Sequence, residues 1–293
     1  MRSLDPLAGS RLGSAQSGKK LKSDVSSSQF RSRELSQFEG NLTPSAPYVN
    51  DPSANNSCSA NQQRWRDYSQ GFQCFGPMLT VNAILAAGDR SALRAYALTE
   101  RTALIRFAGY AANFLSMPHA ELGRAGNVCP YVPDAVENDL FRLTATLETE
   151  AERVEAAMDK MRDVFAEMEP VDGRNMMLKT IVVVFPDVPA QDSKEKIGAL
   201  QKRLKPSYIK EGFMIGEFFP NCPEPGLHNP HFRPLDTPVP ALAVRYITKF
   251  DAPFMLGDPS YEAGYLERFG DEGRRRLERV KASRATCPFG HRA

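Results

Sequence analysis

The stretch Thr180-Ile181-Val182-Val183-Val184-Phe185 decides the fold of this chain. An unbroken apolar run of this length, rich in β-branched residues, is typical of a strand that is buried on both faces. Upstream, the segment 140–147 alternates apolar and polar residues and predicts another strand. The segments 213–219 and 241–247 predict two more. The chain is therefore expected to form a sheet of about four to five strands.

Helical periodicity surrounds these strands. Five apolar residues recur at intervals of four and three, Val154, Met158, Met161, Phe165 and Met168, and they predict an amphipathic helix. Thr149 and Glu152, just before it, have the spacing of a capping box. Further helices are predicted from Asp89 to just before Pro118, from Asp192 through Leu204, over 259–269 and over 271–282. Together these patterns predict a single α+β domain, with a mixed or antiparallel sheet flanked by helices.

The composition divides the chain into three parts. Residues 1–66 are rich in Ser, Asn, Gln, Lys and Arg, with apolar residues scattered singly, so they predict a disordered leader. Residues 67–284 carry the periodic patterns and are the expected α+β domain. Residues 285–293 predict a flexible tail.

Bulk composition excludes several classes of function. With a net charge of +2 and 42% hydrophobic residues, the chain is not expected to bind nucleic acid. No apolar run approaches the length of a membrane span, and no secretion signal follows Met1, so we expect a cytoplasmic protein. Phosphate-binding, dinucleotide-binding and nucleophile-elbow motifs are absent from the sequence. A small molecule is the expected partner, and the sequence leaves the oligomeric state open.

The first candidate site is the loop from His119 to Tyr131. It holds an imidazole, a guanidinium and a thiol within eleven residues, at His119, Arg124 and Cys129. A cysteine thiolate is a nucleophile or a soft metal ligand, so Cys129 and His119 are the candidate catalytic residues. The alternative is that Cys129 is a buried small apolar residue, because free cysteines are often inert.

A second candidate loop runs from Pro220 to Pro240 and contains Cys222, His228 and His231. These side chains, completed by Cys129 or His119, could bind a metal, although their spacing matches no common zinc motif. The alternative role for the two histidines is hydrogen bonding within the loop. A loop this long inside a compact domain is often functional.

Three arginines lie in or beside these loops: Arg124, Arg233 and Arg245. A guanidinium binds a carboxylate through two parallel hydrogen bonds, so these residues, with Tyr131, are candidates for binding an acidic or amino-acid-like substrate. Structural ion pairs are the alternative.

Two segments together, 119–133 and 212–245, resemble a family of uncharacterised bacterial proteins, over about 118–270. The motifs are Leu-Gly-Arg followed by Val-Cys-Pro-Tyr-Val-Pro, and Gly-Leu-His-Asn-Pro-His-Phe-Arg-Pro. The order of loop, strand, helix and apolar strand is also similar to the YqcI/YcgG family, some members of which are haem proteins that hydroxylate nitrogen in small amino-acid-derived substrates. That resemblance implies Cys129 as an axial thiolate and His119, His228 or His231 as imidazole ligands or proton donors.

The leading expectation is therefore an enzyme of specialised metabolism, with haem-dependent oxidation or N-hydroxylation of an amino-acid-like substrate as its mechanism. One alternative is a cofactor-free or metal-binding enzyme that uses Cys129 as a nucleophile. The other alternative is a non-catalytic binding or adaptor protein.

Overall fold

A computed structural model describes residues 74–86 and 92–286 of the chain. The predicted leader, 1–66, lies outside the described residues. So do 287–293 of the predicted tail, whereas residues 285 and 286 belong to the last helix. Among the described residues, no helix is both long enough and apolar enough to cross a membrane.

Within residues 74–86 and 92–286 the chain forms five strands and six α-helices. The strands are β1 Leu79–Thr80, β2 Phe141–Ala145, β3 Thr180–Val184, β4 Phe213–Phe218 and β5 Ala241–Tyr246. The helices are α1 Val81–Leu85, α2 Leu98–Tyr110, α3 Val132–Glu137, α4 Ala151–Glu167, α5 Ala199–Lys210 and α6 Pro259–Thr286. Short 3-10 helices occupy Ala120–Leu122, Arg174–Leu178, Ala190–Asp192 and Lys249–Phe254, and π-helical turns occupy Ala111–Leu115 and Lys194–Gly198.

The strands form one mixed sheet in the order β1-β2-β3-β5-β4. β2 and β3 run parallel and are joined through α4, whereas the other three pairings are antiparallel. The predicted α+β class with a mixed sheet of four to five strands is confirmed. β3 lies in the middle of the sheet, as its β-branched run requires.

Alternating side chains of β3 supply two different cores. Ile181 and Val183 belong to the first core, which packs the sheet against α4 and α5. Val182 and Val184 point to the opposite face and belong to the second core, which α1, α2 and α3 cover. A third core lies where α6 packs near Met214 of β4. Because Met214 alternates along β4 with residues of the first core, its side chain lies on the opposite face of the sheet. The second and third cores therefore share that face.

Several helix boundaries differ from the prediction, and the predicted start at Asp89 lies outside the described residues. Residues 92–96 form turns, and α2 begins only at Leu98, where the Glu100 carboxylate accepts the backbone N–H of Ala97 at 2.9 Å. The side chain of Thr149 does not cap α4. Instead, Glu148 Oε1 accepts the N–H groups of Thr149 and Glu150, each at 3.0 Å. The predicted break between 269 and 271 is confirmed, because Gly270 interrupts α6 with φ 51° and ψ −132°.

Candidate functional site

The two candidate loops pack against each other. The side-chain amide of Asn229 donates to the carbonyl oxygen of Glu121 at 2.7 Å, which joins positions 108 residues apart. Gly123 has a left-handed φ of 77°, and a Cβ there would lie 2.7 Å from the backbone oxygen of His228. Only glycine permits both the conformation and this close approach. The loop carrying Cys129 and the loop carrying His228 therefore form one continuous surface.

His119 belongs to the aromatic contact between these loops. Its ring lies 4.8 Å from the ring of Phe232 and 5.6 Å from that of Phe114, measured between centroids. Its Nδ1 accepts the backbone N–H of Glu121 at 3.2 Å and begins the 3-10 helix there. His119 is thus positioned as a packing and capping group.

Two of the three candidate arginines hold the shape of their own loops. Arg124 donates through Nη1 to the carbonyl of Ala125 at 3.0 Å and through Nη2 to that of Val128 at 3.1 Å. Arg233 donates through Nη1 to the carbonyls of Pro230 and Phe232. These bonds tie each guanidinium to the backbone of its own loop.

The structure does not bring the four candidate metal ligands together. Cys222 is buried in the first core, and burial raises the pKa of its thiol to about 11, which disfavours the thiolate that a metal needs. Cys129 packs against the second core, on the opposite face of the sheet. His228 and His231 are exposed. No group of three or more His, Cys, Asp or Glu side chains in the described ranges could hold a metal ion.

Arg245, by contrast, is placed on the sheet itself and held from one side. Its Nη1 and Nη2 donate to the two carboxylate oxygens of Asp251, at 2.8 Å and 2.6 Å, and Nη1 also donates to the carbonyl of Tyr246. Asp251 is almost fully buried in the 3-10 helix Lys249–Phe254, where it also accepts the backbone N–H of Thr248 at 2.7 Å. Arg245 is therefore an oriented guanidinium with little rotational freedom.

Cys129 and Tyr131 lie within electrostatic range of this guanidinium. Burial acts to lower the pKa of Arg245, but the charge and hydrogen bonds of Asp251 outweigh it, so that the pKa is raised above its ordinary value. The side chains of Cys129 and Tyr131 act in the same direction as Asp251. Three predicted site residues, from segments more than 110 positions apart, are thus close enough to interact electrostatically.

The guanidinium of Arg245 retains donors for a ligand. A guanidinium has five N–H groups, and the bonds to Asp251 and Tyr246 use three of them. The N–H of Nε and the second N–H of Nη2, which lie along the other edge of the plane, bond to no residue in the described part of the chain. The Arg245 side chain as a whole is 28% exposed.

Beside Arg245 the sheet is only partly covered. We call Gly216, Ala243 and Arg245 the open sheet face. All three are half-buried, and they lie on the face that the second and third cores share. Phe218 follows on β4 and packs edge-on against Phe107 of α2, at 5.8 Å between ring centroids. This surface therefore has one guanidinium beside small and aromatic side chains.

Sequence reasoning missed Asp251, Gly216 and Ala243 as parts of this site. A signal for Asp251 existed, because Thr248 and Asp251 have the spacing of a helix-capping pair, and the structure shows that cap. The signal for Gly216 and Ala243 was the alternation of side chains along a strand, which places both on the same face of the sheet as Arg245.

Comparisons with known proteins give a family but no activity. A family model described as "Domain of unknown function (DUF6875)" matches residues 104–280, which span both loops and strands β2 to β5. No curated protein and no solved structure matches the chain. The haem chemistry implied by the likeness to the YqcI/YcgG family stays a prediction.

Proposed function

This chain belongs to the family defined by the domain of unknown function DUF6875, and we propose that it is an enzyme of small-molecule metabolism acting on a carboxylate-bearing substrate. In this proposal the free edge of Arg245 binds the carboxylate, and the Cys129 thiol is the reactive group beside it. The observation that carries the proposal is the guanidinium of Arg245, which Asp251 holds along one edge and whose side chain is 28% exposed.

The remaining N–H donors of Arg245 fit one carboxylate group. The Asp251 carboxylate accepts hydrogen bonds from Arg245 and from Thr248, so several donors share its negative charge. A second carboxylate can then receive the two remaining N–H groups in the planar geometry that favours arginine over lysine. A charge-assisted hydrogen bond of this kind contributes about 1.5 to 3 kcal/mol.

Cys129 is the thiol best placed for chemistry among the described cysteines. It is half-buried, and its backbone N–H donates to the carbonyl of Leu115 at 2.9 Å, which fixes its position next to the second core. Cys222 is buried with a raised pKa, and Cys74 packs against the first core. A ligand bound by Arg245 would lie near Cys129 and Tyr131 and away from the other two thiols.

The residues fit a haem less well than they fit a small carboxylate. Of the ligands that the resemblance implied, His228 and His231 are exposed, and the Nδ1 of His119 accepts a backbone hydrogen bond while its ring packs against Phe232. Cys129 packs against the apolar side chains of the second core. The proposal therefore assigns no step to haem.

Affinity alkylation tests the proposal. Iodoacetate and iodoacetamide transfer nearly the same group to sulfur and release iodide, but only iodoacetate carries a carboxylate. We expect the ratio of the two alkylation rates, iodoacetate over iodoacetamide, to be about tenfold higher at Cys129 than at Cys74, since tenfold corresponds to ~1.4 kcal/mol. Peptide mapping by mass spectrometry measures both thiols in one sample of the full chain.

Equal ratios at Cys129 and Cys74 would overturn the carboxylate site. A second reading on the same protein addresses the haem mechanism, because a haem bound through a thiolate gives a Soret band on titration with haemin. We expect no difference in that spectrum between wild type and Cys129→Ala. A Soret band that is lost in Cys129→Ala would replace the present proposal with the haem mechanism.

A further inference from the structure

Gly216 occupies a strand position that gives no structural reason for a glycine. Its φ does not lie in the left-handed region, and a Cβ built on it would meet one heavy atom within 4 Å, Cε2 of Phe218 at 3.8 Å. By contrast, a Cβ at Gly198 would lie 2.9 Å from a carboxylate oxygen of Glu217. A glycine inside a strand costs conformational entropy and often marks a close approach by a ligand or another backbone.

The position opposite Gly216 is also small. Gly216 pairs with Ala243 in the register of β4 and β5, and both are half-buried. Two adjacent cross-strand positions thus project nothing larger than a methyl group from the sheet. Side chains directly opposite each other lie about 5 Å apart, so together they form a flat floor wide enough for one ring.

The two ends of this floor differ in chemistry. Arg245 follows Ala243 by two residues on β5, which corresponds to about 7 Å along the strand. In the other direction, Phe218 pairs with Ala241, and its ring is held edge-on by Phe107. A ligand whose carboxylate is bound by Arg245 therefore extends its apolar part over Gly216 and meets Phe218 within roughly 13 Å of the Arg245 backbone.

We propose that the site selects small carboxylates that carry one flat apolar group, and that Gly216 determines this specificity by keeping the floor between Arg245 and Phe218 free of side chains. The inference rests on the proposed function, because it describes the part of the same ligand that Arg245 does not hold. Cys129 and Tyr131, near the guanidinium, then face the carboxylate end of the ligand.

Calorimetric titration of the full chain with three probes tests this specificity. The probes are 3-phenylpropionate, its neutral counterpart 3-phenylpropanamide, and acetate, which keeps the charge and lacks the ring. We expect 3-phenylpropionate to bind wild type at least tenfold more tightly than either of the others. In Gly216→Val the added side chain fills the floor, so the affinity for 3-phenylpropionate falls at least tenfold while that for acetate is unchanged.

Gly109→Val is the matched control, because a Cβ at Gly109 in α2 meets nothing within 4 Å and that at Gly216 meets only Cε2 of Phe218, at an ordinary contact distance of 3.8 Å. Its affinities should equal those of wild type. Gly216→Ala is a milder variant, with an intermediate loss, and it decides the question if Gly216→Val does not fold. A folded Gly216→Val or Gly216→Ala that binds 3-phenylpropionate as wild type does overturns the role of Gly216.

The probes separate failure of this inference from failure of the proposed function. If wild type binds the acid more tightly than the amide but Gly216 variants bind equally well, the Arg245 site stands and the floor is wrong. If wild type does not distinguish the acid from the amide, or binds no probe, the carboxylate site and the inference built on it both fail.

Discussion

Replacing Asp251 with alanine removes the group that orients Arg245. The Asp251 side chain is 5% exposed and accepts four hydrogen bonds, two from Arg245 and two from Thr248. Breaking a buried ion pair by removing one partner costs about 3 to 5 kcal/mol, because the remaining charge stays buried and unpaired. Arg245 is 28% exposed and can recover some hydration, so we expect a loss of about 3 kcal/mol.

Urea unfolding, followed by far-ultraviolet circular dichroism, measures this loss. The midpoint should fall while the slope stays the same, because the surface exposed on unfolding is unchanged. Glu272→Ala is the matched control: Glu272 also accepts from two arginines, Arg275 and Arg276, but its side chain is 42% exposed. We expect a much smaller shift there. If Asp251→Ala is no less stable than Glu272→Ala, then Asp251 does not fix Arg245 and the reasoning is refuted.

Two further perturbations test the packing that supports the site. Lys179 is fully buried, donates to the carbonyl of Met168 and lies 4.7 Å from the ring of Phe165, and burial lowers the pKa of its ammonium from 10.5 to about 8. The unfolded state therefore binds more protons than the folded state between pH 8 and pH 10.5. The free energy of unfolding of wild type should rise over that range by up to about 3 kcal/mol relative to that of Lys179→Met, and urea titrations at each pH measure the rise. Parallel pH profiles of the two proteins would contradict this. Gly123→Ala should lower the free energy of unfolding by about 2 kcal/mol or more, because it adds a contact with His228 to the strain of a left-handed φ. Gly257→Ala, with φ 99° and no atom within 4 Å, carries the backbone strain alone. Equal losses in urea unfolding would show that the contact between the loops is unimportant.

The sheet and the main helices could be predicted because local patterns specify them. The β-branched run at 180–185 predicts a buried strand, and the 4-3-4-3 spacing from Val154 to Met168 predicts a helix with one buried face. The structure has a buried strand and an amphipathic helix at these positions. Helix starts were less predictable, because capping depends on which side chain reaches the free N–H groups. At α4 it is Glu148, not Thr149, that does so.

The site was predictable only in its parts. Single residues such as Cys129, Tyr131 and Arg245 could be chosen from their chemistry, and strand alternation places Arg245 on the same face as Ala243. Their meeting depends on tertiary packing between segments more than 110 residues apart, which no local pattern encodes. For the same reason Cys222, chosen with Cys129 as a metal ligand, lies across the sheet from it.

The most direct test of the central claim is the alkylation of Cys129 in Arg245→Lys. Lysine keeps the positive charge but lacks the planar pair of N–H donors, so general attraction of anions is preserved while carboxylate binding is weakened. We predict that the ratio of iodoacetate to iodoacetamide rates at Cys129 falls from its wild-type value toward that of Cys74 in a folded protein. A ratio at Cys129 that is unchanged by Arg245→Lys would contradict the account.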